Sequence, residues 1–140
     1  MATTLAEAWE LSRSDRGLAI VSTLRADQTI HTSLVNTGVV GDQLAFVTYG
    51  PVKLANLRAR PQIAVAFRDG WRWAAVEGRA ELAGPDDPRP GLDAEGLRLL
   101  LREIFTAAGG THDDWDDYDR TMVAQRRAAV LITPTRVYGS

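Results

Sequence analysis

Two rhythms of hydrophobic and polar positions divide the chain. The first has period 2. "GLAIVSTL" (residues 17–24) is rich in β-branched side chains, "RADQ" is a turn, and "TIHTSLVN" (29–36) resumes the alternation, which together predict a β-hairpin. In its second strand Ile30, Thr32, Leu34 and Asn36 share one face, and His31, Ser33 and Val35 share the other. "TGVVGDQLAFVTY" predicts a second hairpin turning at Gly41-Asp42. "QIAVAFR" and "RWAAVEGRAEL" predict a third around "DG". "RAAVLIT" and "RVYG" read as closing strands on either side of Pro134.

The second rhythm is helical. Over residues 3–13, Leu5, Ala8, Trp9 and Leu11 share a face, with Thr3 or Thr4 placed to cap and Glu7 near the third helical position. Pro51 suits the first turn of a short helix through "VKLANLRAR". There Val52, Ala55 and Leu57 are expected to pack inward, and Pro61 ends the helix. "LDAEGLRLLLREIFTAAGG" predicts a helix capped by Asp93 and closed at Gly109-Gly110. "DDWDDYDRTMVAQ" predicts another, its acids favourable near an N-terminus. "AGPDDPRPG" between them is a loop. The sum is one domain over residues 1–140, mainly β with attached helices (α+β). Six to seven antiparallel strands and three or four helices suggest a small β-barrel.

Composition narrows the function. At 140 residues, with 45% hydrophobic and 24% charged positions, the chain matches an ordinary soluble globular domain. It has no cysteine, which removes disulfides, thiolate nucleophiles and thiolate metal sites. The net charge of -2 argues against a nucleic-acid partner. "MATTLAEAWELSRSD" lacks the apolar run of a signal peptide, and no segment approaches the ~20 apolar residues of a membrane helix, so a cytoplasmic location is expected. Trp9, Trp71, Trp73 and Trp115 are more aromatic surface than a core of this size readily hides, which points to a dimer.

Familiar catalytic constellations are missing. No GxSxG, GxGxxG or GxxxxGK[ST] motif occurs. His31 and His112 do not make a metal site. The run Asp113, Asp114, Asp116, Asp117 and Asp119 spreads around a helix and reads as a solvated face. One position stands out. Lys53 is the only lysine, against 15 arginines, and it sits just inside the helix that follows "YGP". A helix start offers unpaired N–H groups and a partial positive charge, Thr48 offers a hydroxyl, and lysine offers a compact point charge. Together they suit a phosphate, although a solvated lysine is the plainer reading. Trp71 and Trp73 flank Arg72 and are expected on one strand face, as core or as a wall for a flat heterocycle.

"TYGPVKLANLRARPQIAVAFRDGWRWAAVEGRAEL" resembles the pyridoxamine 5′-phosphate oxidase-like split β-barrels, and "HDDWDDYDRTMVAQRRAAVLITPTRVYG" resembles their actinobacterial branch that uses the deazaflavin coenzyme F420. The resemblance runs from about residue 14 to 139. It implies an FMN-binding-like split barrel, a homodimer with two cofactor sites between subunits, and hydride transfer from reduced F420 to a small organic acceptor. It implies that Lys53 meets the cofactor phosphate, with Thr48, Tyr49, Gly50 and Pro51 beside it and Asn56 on the following helix. Ser33, Leu34, Val35 and Asn36 would face the ring from a strand edge, and Trp71 and Trp73 would approach from the facing side. Relatives that use flavin often carry Ser-x-Lys and a basic residue on the second strand. Here Pro51 stands two before Lys53, and the second strand offers only His31. An FMN-dependent oxidase or reductase is the alternative, and a non-catalytic cofactor- or tetrapyrrole-binding protein is the alternative of another class. No catalytic side chain is required, because such a cofactor carries the redox chemistry. Tyr49 and His31 are the candidates for a proton donor, each with a packing or hydrogen-bonding role as its simpler reading.

Overall fold

The computed structural model describes residues 2–140. Six strands form one closed antiparallel barrel: β1 (Leu18–Leu24), β2 (Ile30–Val40), β3 (Gln43–Thr48), β4 (Gln62–Asp69), β5 (Arg72–Ala83) and β6 (Ala128–Gly139). Their order around the barrel is β1-β2-β3-β6-β5-β4. The three expected hairpins are all present. The two closing stretches are one strand. Pro134 lies within β6 opposite Gly78, beside a register shift at Glu77/Gly78 where the extra residue Thr135 is taken up. Proline lacks the N–H of a regular ladder, and a bulge accommodates it without breaking the strand.

Alternation along the strands builds the core. Val21, Phe46, Val65, Phe67, Val76, Val130 and Ile132 point inward and are buried. Helix α1 (Leu5–Glu10) starts with Thr4 accepting from the Glu7 N–H while Glu7 answers with its carboxylate. This capping box satisfies two otherwise free N–H groups. Trp9 packs into the barrel core and donates Nε1–H to the Thr37 carbonyl at 3.0 Å.

Helix α2 (Pro51–Ala59) closes the barrel with a face unlike the expected one. Val52 and Ala55 point to solvent, and Lys53, Leu54, Asn56 and Leu57 are buried. Leu54 and Leu57 do join the core. Lys53 and Asn56 take the places expected for Val52 and Ala55 because the covered mouth of the barrel is itself partly polar, offering Thr23 to Asn56.

Helices α3 (Ala94–Ala107) and α4 (Trp115–Ala124) lie outside the barrel, α3 against β2, β3 and β6. Asp93 and Asp114 cap them. A second core of Ala45, Leu101, Ile104, Tyr118, Ala129 and Leu131 forms beneath them. Gly38 permits this close approach, since a Cβ there would lie 2.7 Å from the Ala107 carbonyl carbon and the Ala108 nitrogen. Of the acidic run, Asp113, Asp116 and Asp117 are solvent-exposed as expected, Asp114 caps α4, and Asp119 pairs. Asp119 accepts from Arg102 Nε at 2.9 Å and from Arg98 at 3.1 Å, tying α4 to α3. Among the described residues no cluster of His, Asp and Glu could hold a metal ion. Among the same residues no helix is long and apolar enough to cross a membrane.

Candidate functional site

β2 changes partner along its length. Residues Ile30–Asn36 pair with β1, and Thr37–Val40 pair with β3. The first seven residues therefore have one edge without a strand. Thr37 donates its N–H to the Gly17 carbonyl on the β1 side at 2.9 Å. In an extended strand successive residues turn their backbone groups to opposite edges. Residues 31, 33 and 35 thus serve β1, while Thr32, Leu34 and Asn36 direct their N–H and C=O groups to the open edge.

Two further features flank this edge. On the inner face, His31 Nδ1 and Ser33 Oγ are buried without a hydrogen-bond partner among the described residues. Across the seam, β3 ends at Thr48 and the backbone turns through Tyr49 and Gly50 into α2. Lys53 is only 6% exposed there. Its stem passes Gly50 and Thr48, where a Cβ on Gly50 would lie 3.4 Å from both Lys53 Cε and Thr48 Oγ1. Its ammonium sits 5.7 Å from the Phe46 ring centroid. No carboxylate pairs with it among the described residues. Burial pushes its pKa below the usual lysine value. A buried cation without a counter-charge costs folding free energy, so an anion at this corner would relieve a cost already present.

The other expected site residues divide. Thr48 faces the corner, but its hydroxyl already accepts the Gly50 N–H at 3.1 Å. Pro51 begins α2 and has no N–H to offer. Asn56 donates to Thr23 Oγ1 at 3.0 Å, so its amide is committed to holding α2 on β1. Ser33 and Val35 turn inward and Leu34 and Asn36 outward, as the alternation requires.

Trp71 is a correction. It lies in the β4–β5 turn beside Gly70, at φ 62°, and is 98% exposed. It does not share a strand face with Trp73. The two-residue turn is Gly70-Trp71, closed by the Asp69–Arg72 pair, one position beyond the expected "DG". Trp73 is on the outer face and meets Tyr138 edge-on at 6.2 Å.

Trp73 and Tyr138 belong to a larger surface. The pairing register aligns Leu34, Ile20, Ala66, Ala75 and Tyr138 in one row across β2, β1, β4, β5 and β6. Leu34 is 57% exposed and Ile20 42%. An apolar row crossing five strands, uncovered in the single chain, is the kind of patch that marks an interface.

Sequence reasoning missed Arg127. Its guanidinium lies 4.1 Å over the Tyr49 ring, 78 positions away in the chain, and Nε donates to Gln125 Oε1 at 2.8 Å. Pairing of Thr48 with Ala128 brings the two together. No local signal carries that contact. Arg127 and Met122 also line two clefts. One, of about 310 Å³, lies between α3–α4 and the seam and is lined as well by Asn36, Val47, Phe105 and Tyr118. The other, of about 550 Å³, lies under the 84–93 loop. In the larger cleft Arg98 and Arg126 are already paired with Asp119 and Asp86.

A family model described as pyridoxamine 5′-phosphate oxidase matches residues 5–140. Among solved structures, a conserved hypothetical protein from Mycobacterium tuberculosis is similar at TM-score 0.73 and 20% identity, covering 99% of this chain and 85% of that one. An F420 reductase is similar at TM-score 0.62 and 19% identity, with 86% and 88% covered. A pyridoxamine 5′-phosphate oxidase-related, FMN-binding protein from Nostoc punctiforme is similar at TM-score 0.67 and 15% identity, with 96% and 81% covered. At these identities the structures show the shared fold.

Proposed function

Because the chain belongs to the pyridoxamine 5′-phosphate oxidase family, we propose that it is an oxidoreductase that holds a phosphate-bearing flavin-type cofactor at the β2 seam. The observation that carries this reading is the buried, uncompensated Lys53 beside an open strand edge with two unpartnered buried polar atoms. These residues fit such a group. Lys53 supplies the counter-charge for its phosphate, and the open backbone groups of Thr32, Leu34 and Asn36 supply in-plane hydrogen bonds for a flat heterocycle. When bound, a cofactor of this class supplies two-electron, hydride-equivalent chemistry to an organic acceptor. The chain's own part is to bind, orient and exclude water, with no catalytic side chain assigned.

Our first choice of cofactor is coenzyme F420, supported by the "DWDDY" and "ITPTRVYG" segments and by β2, which carries His31 but no arginine. FMN is the second reading, favoured by the compact anion corner of one lysine and one hydroxyl. The pairing state belongs to the same reading. The apolar row from Leu34 to Tyr138 supports a homodimer, which at obligate size buries about 2,000 Å² or more.

Titrating cofactor-free protein separately with F420 and with FMN tests the proposal, followed by turnover with quinone, enone and nitro acceptors. F420 binding with acceptor reduction is the expected result. Tight FMN binding alone selects the second reading. Binding without turnover of any acceptor selects a carrier, and failure of both cofactors to bind refutes the site.

A further inference from the structure

We infer that the cleft between α3–α4 and the β2–β3 seam receives the organic acceptor, and that this acceptor is a flat, mainly apolar molecule with one anionic or strongly electronegative group held by Arg127. The inference rests on the oxidoreductase reading and adds the acceptor's location and chemical class.

Position is the first ground. Asn36 is the last residue whose backbone faces the open β2 edge, and Val47 directly precedes Thr48. Both line the cleft. The cleft therefore lies on the outer face of the seam, alongside the end of the open edge.

Chemistry is the second ground. The walls of Val47, Phe105, Met122 and the Tyr118 ring are apolar. Tyr118 gives its hydroxyl hydrogen to the Leu101 carbonyl at 3.0 Å, and the Asn36 amide donates to the Arg16 carbonyl at 3.2 Å. Little donor capacity remains apart from Arg127. About 310 Å³ is at the small end of ligand pockets, enough for one or two fused rings.

The state of Arg127 is the third ground. Its neighbours are neutralised, with Arg98 and Arg102 on Asp119, Arg126 on Asp86 and Arg58 on Asp87. Among the described residues Arg127 has no carboxylate. Only its Nε is committed, while stacking on Tyr49 fixes the plane of the fork. A planar cation held this way, half-buried at the end of an apolar slot, matches the paired oxygens of a carboxylate, sulfonate or nitro group.

Isothermal titration of the cofactor-free protein with 1,4-naphthoquinone-2-sulfonate and with menadione provides the test. The two share a ring system and differ in the anionic group. The parent is expected to bind the sulfonate about tenfold more tightly. Arg127→Gln should remove that preference and leave menadione unchanged. Met122→Trp, which fills the slot, should weaken both by at least about tenfold. If Met122→Trp loses a cooperative thermal transition, Val47→Phe fills the slot from the opposite wall and carries the same expectation. No binding of either probe to the parent, a preference that survives Arg127→Gln, or full affinity in a folded slot-filling variant would each overturn the inference. Probe binding that responds as expected in a protein that takes up neither F420 nor FMN refutes the oxidoreductase reading and leaves a ligand site of this class. Cofactor binding with probes indifferent to the slot refutes the cleft alone.

Discussion

Lys53→Met separates two effects of opposite sign. Methionine is close in length to the lysine stem and removes the charge. In the cofactor-free protein Lys53 is 6% exposed and its ammonium lacks a paired carboxylate, so its removal relieves desolvation and breaks no ion pair. Uncompensated burial of a polar or charged group typically costs about 1–3 kcal/mol, and we expect recovery of about 1–2 kcal/mol. For a chain of 140 residues this raises Tm by about 3–7 °C. Cofactor affinity should move the other way. A charge-assisted contact to phosphate is worth about 1.5–3 kcal/mol, so affinity should fall about ten- to a hundredfold.

pH adds an independent check on the same residue. Burial lowers the folded pKa of Lys53, so between that value and about 10.4 the unfolded chain binds more protons. The penalty is fully present below the folded pKa and is relieved as pH rises toward the unfolded one. The parent should therefore gain stability relative to Lys53→Met on going alkaline, and the gap between them should close. Thermal denaturation across pH and calorimetric titration of cofactor at low salt read out both arms. A variant that melts below the parent at neutral pH, or that binds cofactor within about twofold of it, would refute the role given to this lysine.

Ile20→Glu places a carboxylate in the apolar row, and sedimentation should show the expected dimer of 15.3 kDa chains dissociating at micromolar concentration. A monomeric parent would refute the interface. Gly38→Ala forces a Cβ to within 2.7 Å of the α3 backbone and should cost about 2–3 kcal/mol, read as a fall in Tm of about 7–10 °C. Asp119 is held below the usual carboxylate pKa, first by its hydrogen bond from Arg102. Its contribution, about 1 kcal/mol, is present above about pH 3.9 and is lost as pH falls through the folded value. Asp119→Asn should therefore be less stable than the parent at pH 7 and converge with it in acid, as followed by urea denaturation.

What the sequence by itself determined is local. Alternation placed His31, Ser33 and Val35 on the face opposite Leu34 and Asn36, because the side-chain period of a strand needs no information from elsewhere in the chain. Thr4 and Asp93 stand within three residues of the N–H groups they cap, so those helix starts were legible too. Lys53 stood out by composition alone. Tertiary structure decided what depends on partners distant in the chain. The unpaired edge of β2 exists because that strand exchanges β1 for β3 at residue 37, and no periodicity encodes a change of neighbour. The buried face of α2 departed from the apolar reading because the barrel mouth it covers offers Thr23 to Asn56. Trp71 left the strand face when the turn settled one residue later. Arg127 reached Tyr49 only through the β3–β6 pairing. Hydrogen-bond capacity and side-chain alternation are properties of a few consecutive residues. Closing a barrel sets which of them end up side by side, and the candidate site is made almost wholly of such neighbours.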